Sequence, residues 1–185
     1  MPTATSIGET WDVATVPVRP AESKDLPVLR QIEWDAGQRY RECGLDQVAD
    51  HEPASIEVLH GYAADGRAWV TVGDDDEAIG YLLVDEIDGA AHIEQVSVAP
   101  DYQGQGLGRA LIERVRAWAT TKGMTALTLT TFGHISWNRP LYEHLGFRVL
   151  SGEEIGSGLR AVCDAEAEHG LDPDLRVVMR LDLNA

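Results

Sequence analysis

The sequence predicts an α+β fold: a three-layer α/β/α arrangement around a mixed sheet. Three observations support it. The β-rich runs "RAWVTV" and "AIGYLLVDEI" flank the turn "GDDDE" and read as an antiparallel hairpin. A β-α-β unit follows over residues 90–131, which demands a parallel pair. The elements otherwise fail to alternate as strand and helix, so a doubly wound sheet is not expected.

The elements follow in chain order. "ATVPVRPA" (14–21) reads as a first strand closed by Pro20, after an N-terminal arm over 1–13; a single domain is expected over 14–185. The next helix, read over "ESKDLPVLRQIEWDAGQRY" (22–40), has Ser23 as N-cap, Asp25 and Pro27 in its first turn, and Leu26, Leu29, Ile32 and Ala36 on one face. A second helical stretch lies at 54–64, after Pro53, and the hairpin comes next. "AAHIEQVSVAP" is a strand stopped by Pro100. Leu107, Ala110, Leu111, Val115, Trp118 and Ala119 then form an apolar helix stripe, with Gly123 as C-cap. "TALTLTTF" alternates as a strand, "WNRPLYEHLGF" is a short helix closed by Gly146, and "FRVL" is a strand. Residues 157–169 read as a helix and "LRVVMRLDL" as the last strand, a pair of elements available for a homodimer interface.

Composition sets limits. The chain of 185 residues carries 15 Lys+Arg against 31 Asp+Glu, a net charge of −16. Such a surface repels nucleic acid and anionic membrane and attracts a cationic substrate, although its first effect is solubility. No stretch reaches the roughly 18 apolar residues of a membrane span, and "MPTATSIGET" lacks the parts of a secretory signal. Cys43 and Cys163 have neither metal nor redox spacing, and "DDD" at 74–76 reads as a solvated hairpin tip rather than a metal site. A cytoplasmic protein with free thiols and no metal is the expectation.

"VSVAPDYQGQGLGRALIERV" (96–115) carries the chemistry. Gly104, Gly106 and Gly108 stand at alternate positions between a strand and a helix. A helix N-terminus offers unpaired amides and a positive dipole end, and glycine lets an anion approach them. Phosphate or pyrophosphate is the indicated ligand, and a bound phosphate would also suit Arg109 in the first helical turn. A dinucleotide fingerprint would need G-x-G-x-x-G, and a P-loop would need Gly-Lys-Ser/Thr; neither is present.

This segment resembles the acyl-CoA-binding motif Q/R-x-x-G-x-G/A of the GNAT (Gcn5-related N-acetyltransferase) superfamily, through Gln103, Gly106 and Gly108. "WNRPLYEHLGF" resembles the family's later motif, with Asn138 four residues before Tyr142 where many members have seven. The resemblance implies a largely antiparallel sheet that splays open between the strands at 90–98 and 125–131, with acetyl-CoA in the gap. It implies that the backbone of Val96, Ser97 and Val98 pairs with the pantetheine arm. The turn Gln103, Gly104, Gln105, Gly106, Leu107, Gly108 and Arg109 holds the pyrophosphate, and Asn138 reaches the pantetheine amides. The implied activity is N-acyl transfer, most simply of acetyl from acetyl-CoA to a primary amine on a small cationic molecule, lysine or peptide. The alternative is a non-catalytic acyl-CoA sensor or assembly module.

Transfer to an amine needs a base, a polarised carbonyl and a proton for the departing thiolate. A period of two puts His92, Glu94, Val96 and Val98 on one strand face. Glu94 is the first candidate base and His92 the second. Tyr142 matches the family's general acid, and the Val96 amide faces the thioester oxygen. Trp34, Tyr40 and Arg41 are candidates for the acceptor pocket, and His134 for the cleft lining.

Overall fold

Seven strands in one sheet carry the molecule, and their order decides where a ligand can enter. The computed structural model describes residues 16–183. The chain runs β1 (Val18–Pro20), α1 (Leu26–Gly37), α2 (Asp46–Ala49), α3 (Ile56–Ala64), β2 (Ala68–Val72), β3 (Ala78–Ile87) and β4 (Ala90–Val98). It continues through α4 (Leu107–Thr121), β5 (Ala126–Phe132), α5 (Arg139–His144), β6 (Arg148–Val149), α6 (Ser157–Glu168) and β7 (Arg176–Asp182). The sheet order is β1-β2-β3-β4-β5-β7-β6, antiparallel except for the β4–β5 pair joined through α4. The mixed α+β architecture expected from the sequence is therefore the one observed. The expected arm at 1–13, with the start of the 14–21 strand, lies outside the described residues.

Alternation along the strands gives the sheet two covered faces. On one, Trp69, Leu82, Val84, Ala91, Ile93, Leu127, Leu129 and Met179 pack against Leu111, Ile112, Val115 and Ala119 of α4. On the other, Val70, Tyr81 and Leu83 meet Leu26, Leu29 and Ile32 of α1 and Leu59 of α3. Leu150, Leu159 and Val178 form a smaller core beneath α6. The N-terminus of α6 is fixed from a distance: the Asp88 carboxylate, in the β3–β4 turn, accepts from the amides of Gly158 and Leu159, both at 3.0 Å.

Three local expectations need correction. Ser23 does not cap α1; Asp25 takes the cap position, and its carboxylate accepts from the Glu22 amide at 2.8 Å and from Arg19 at 2.7 and 3.0 Å. The first helix does not continue through Tyr40, because residues Gln38–Cys43 tighten into a 3-10 turn that ends at left-handed Gly44. The "DDD" tip is not wholly solvated. Asp76 bonds Arg19 at 2.9 Å and Lys24 at 2.6 Å, pinning the hairpin to the start of the fold.

Burial alone would lift the Asp25 carboxyl, but Arg19 and the Glu22 amide more than offset it and hold the group below its usual range. Its contribution is complete above the unfolded-state value of about 4 and is lost as pH falls through the lower folded value. Asp25→Ala is expected to cost about 3 kcal/mol in urea unfolding at pH 7, because it leaves Arg19 short of its main partner. The difference from wild type should shrink as the pH falls below about 4.

Candidate active site

The site begins where two parallel strands part. β4 and β5 pair only through Ala91–Leu127, His92–Thr128 and Ile93–Leu129. Beyond them β4 runs on to Val98 and β5 to Phe132 without pairing, so the sheet opens as a fork. The Ala99 amide bonds Ile79 on the β3 side. By backbone alternation, the polar groups of Val96 and Val98 therefore turn toward the open side. The Val98 carbonyl accepts from Gln103 Nε2 at 3.0 Å.

At the crotch of the fork β4 bulges. Leu83 pairs with Gln95 and Val84 with Ile93, so Glu94 has no opposite residue on β3. The bulge overturns the expected single face for His92, Glu94, Val96 and Val98. Ala91 and Ile93 share the α4 side with Val96, whereas His92 points to the other side. His92 is buried, its Nδ1 lies 3.0 Å from Thr128 Oγ1, and desolvation pushes its pKa down. Glu94 is exposed to solvent, and its carboxylate has no hydrogen-bond partner among the described residues. Its pKa is pushed up nonetheless, first by the protein mass around it and then by the charges of Asp85, Glu166 and Glu33.

The glycine-rich turn lies at the far end of the β4 arm. Gly104 and Gly106 have φ of +77° and +83°, so glycine is required there by backbone geometry. Gly106 is the N-cap of α4 and provides no side-chain cap. Gly108 differs: it is helical, and an added Cβ would find only Val98 Cγ2 at 4.0 Å. Nothing in the protein's own packing requires a glycine at 108, and the open space beside it fits a ligand lying on the amides. Arg109 is exposed beside them and forms no ion pair among the described residues.

The β5 arm carries the remaining groups. Tyr142 of α5 stands edge-on to Phe147 at 5.8 Å, and its hydroxyl has no hydrogen-bond partner among the described residues. Burial pushes its pKa well up, so it remains a proton donor. Asn138 is buried at the start of α5 and gives its Nδ2 to the Tyr40 hydroxyl at 3.0 Å. The Tyr40 ring lies 5.6 Å from Phe132 and 6.3 Å from Trp137. Its neighbour Arg39 stacks 4.1 Å over Trp137 and bonds Gln103 Oε1 at 3.2 Å. The 3-10 turn thus straps the two arms together. Sequence reading found Tyr40 but missed Arg39, which has no local mark other than its place beside an aromatic residue. Trp34 and Arg41 lie outside these contacts; Arg41 pairs with Asp50 on the surface.

These parts fit acetyl-CoA. Strand backbone left unpaired with β5 suits an extended diamide arm, and an uncapped helix N-terminus suits a pyrophosphate. Among the described residues, no group of three or more His, Cys, Asp or Glu is placed to hold a metal ion.

Comparison with known proteins agrees. Residues 26–147, about two thirds of the chain, match the acetyltransferase (GNAT) family. A peptidyl-lysine N-acetyltransferase YjaB from Salmonella typhimurium is 26% identical over 54% of this chain and 62% of its own length. The [ribosomal protein bS18]-alanine N-acetyltransferase of the same organism is 28% identical over 66% of this chain and 74% of its own. The chain thus spans less than two thirds of the first of these relatives. The crystal structure of the PaiA N-acetyltransferase from Thermoplasma acidophilum, in complex with coenzyme A, superposes with a TM-score of 0.67 at 15% identity, over 91% of this chain and 99% of that one.

Gly108→Ala is expected to stabilise the fold by up to about 1 kcal/mol, because the helix gains a better residue at no steric cost. Chemical unfolding of the ligand-free protein checks this.

Proposed function

The chain belongs to the acetyltransferase (GNAT) family, and from that membership we propose that it transfers acetyl from acetyl-CoA to a primary amine within a ternary complex. The observation that supports this most strongly is the fork, with its open backbone edge continuing into an uncapped helix N-terminus and with Glu94 and Tyr142 beside it. Acetyl-CoA, when bound, supplies the activated thioester carbonyl. The Val96 and Val98 backbone orients the pantetheine arm. The amides of Leu107, Gly108 and Arg109, with the α4 dipole, hold the pyrophosphate. The Val96 N–H donates to the thioester oxygen as negative charge grows there.

An alkylamine with a pKa near 10.4 is neutral only about one time in 2,500 at pH 7, so its proton must be removed before attack. Glu94 takes that proton, directly or through a water. Its raised pKa makes it a better base than an ordinary carboxylate, and it stands on the bulge beside the point where β4 and β5 part. Tyr142 gives its hydroxyl proton to the departing sulfur. His92, neutral and held by Thr128, is the less suited base. The carboxylates of Glu94 and Glu33, with the chain's net charge of −16, favour an acceptor that arrives as an ammonium ion. The peptidyl-lysine and alanine N-acetyltransferases among the relatives act on acceptors of that kind.

Thiol release on a panel of amines tests the proposal, with coenzyme A formed in step with acetylated amine. A protein that binds acetyl-CoA and turns over no amine would contradict it. Glu94→Gln is expected to lower kcat by about 100-fold or more and to remove the acid-side fall in rate, because protonation of Glu94 no longer matters. Tyr142→Phe should lower kcat by a similar factor while the KM for acetyl-CoA changes little. Gly108→Leu should weaken acetyl-CoA binding by about tenfold or more, since a bulky side chain there meets the ligand, whereas Gly108→Ala, the motif's own alternative, should bind within about threefold.

A further inference from the structure

Beneath α6 lies a cavity of about 230 Å³ that the reaction described above does not use. Most of its wall is apolar, including Leu150, Ile155, Leu171 and Val178, and Cys163 of α6 looks into it. Its polar groups are tied to one another. Arg176 donates through Nη2 to Thr130 Oγ1 at 2.9 Å and to Glu166 Oε1 at 2.6 Å, and through Nε to Glu166 Oε2 at 3.2 Å. The Thr130 hydroxyl donates to Glu166. Arg176 Nη1 has no hydrogen-bond partner among the described residues; the guanidinium lies 4.7 Å over the Phe132 ring, and the side chain is 15% exposed.

Two observations connect this cavity to the fork. Thr130 is the first β5 residue past the last β4 pairing, so one residue borders both spaces. Glu166 and Arg176 lie close enough for their charges to act on Glu94 and His92, and Arg176 acts on Tyr142 as well. The volume exceeds the roughly 150 Å³ apolar cavity that admits benzene. Because Glu166 and Arg176 neutralise each other, the cavity has no net charge to hold a second cation. It offers apolar surface and one pair of unclaimed N–H groups.

We propose that this cavity seats the body of the acceptor, a primary amine that carries an apolar group and a neutral oxygen that accepts from Arg176 Nη1. The inference rests on the acetyl-transfer reading and narrows it: amine at Glu94, apolar group under α6, carbonyl at Arg176. A free amino amide and the first residue of a peptide share that chemistry. A polyamine or a sugar-based amine does not.

Leucinamide and glycinamide have α-amines of similar basicity, so comparing them isolates the side chain. With the full-length protein and saturating acetyl-CoA, leucinamide should exceed glycinamide in kcat/KM by about tenfold or more. Putrescine should fall below both. A Leu-initiated tripeptide as good as leucinamide would mark a peptide acceptor, and a much poorer one would mark a small amine. Cys163→Phe fills the cavity and should erase the leucinamide advantage over glycinamide. Cys163→Ala, which leaves the space open, should retain the advantage.

A second readout needs no turnover. In Cys43→Ser protein, N-ethylmaleimide labelling of Cys163, whose thiol is pushed up by burial, should be slowed by leucinamide and not by glycinamide. Equal turnover of the two amides, preference for putrescine, or labelling that leucinamide leaves unchanged would overturn the inference. If some amine is acetylated, the acetyl-transfer reading survives that result. If no amine is acetylated, that reading fails while the labelling result still reports on the cavity.

Discussion

The failure of β4 and β5 to pair beyond three residues is the constraint on which the rest of the site depends. A parallel pair in mid-sheet normally satisfies every backbone group on both strands, and an unsatisfied buried group is costly. Here the β4 arm keeps an open edge around Val96 and Val98. The edge is tolerable because solvent or an extended ligand can pair with it. The same parting gives α4 an N-terminus that faces the gap, so strand edge and helix end form one continuous polar surface. A ligand with a peptide-like arm and an anionic head matches that surface through backbone groups alone.

The bulge at Glu94 belongs to the same geometry. One extra residue on β4 leaves Glu94 without a partner on β3 beside the fork, puts His92 on the face opposite Val96, and keeps Val96 on the α4 side. Desolvation and the neighbouring carboxylates then push Glu94 in one direction, toward a stronger base. Across the gap, burial holds Tyr142 protonated. Two groups with opposite proton tasks are thus raised by the same physical effect. One starts as a weak base made stronger, and the other as a weak acid kept intact. The strap of Arg39 and Tyr40 ties the arms at Gln103, Trp137 and Asn138, so acceptor-side residues are mechanically linked to the glycine-rich turn.

Much of this was legible in the chain. The strand and helix order, the parallel pair and the ligand-facing turn all follow from local pattern: alternation, a helical apolar stripe, and glycines where the backbone must be left-handed. Gly108 was legible as part of the motif, and the packing around it leaves room for an added methyl. Other features depend on partners distant in sequence. A bulge adds one residue without changing composition, so a period of two carried across Glu94 assigned His92 to the wrong face. Asp25, not Ser23, stands at the cap position, and its carboxylate is taken by Arg19 and the Glu22 amide rather than by the helix. Asp76 looked solvated until Arg19 and Lys24 were placed beside it. The cavity under α6 joins residues 130, 163, 166 and 176, and no local pattern unites them.

Isothermal titration of the purified protein with acetyl-CoA, coenzyme A and an adenine nucleotide tests the central claim most directly. Micromolar binding of both coenzyme A species, much tighter than that of the nucleotide, is the result expected if the fork and the helix end act as one site. Absence of binding at millimolar acetyl-CoA, or equal affinity for the nucleotide alone, would contradict it.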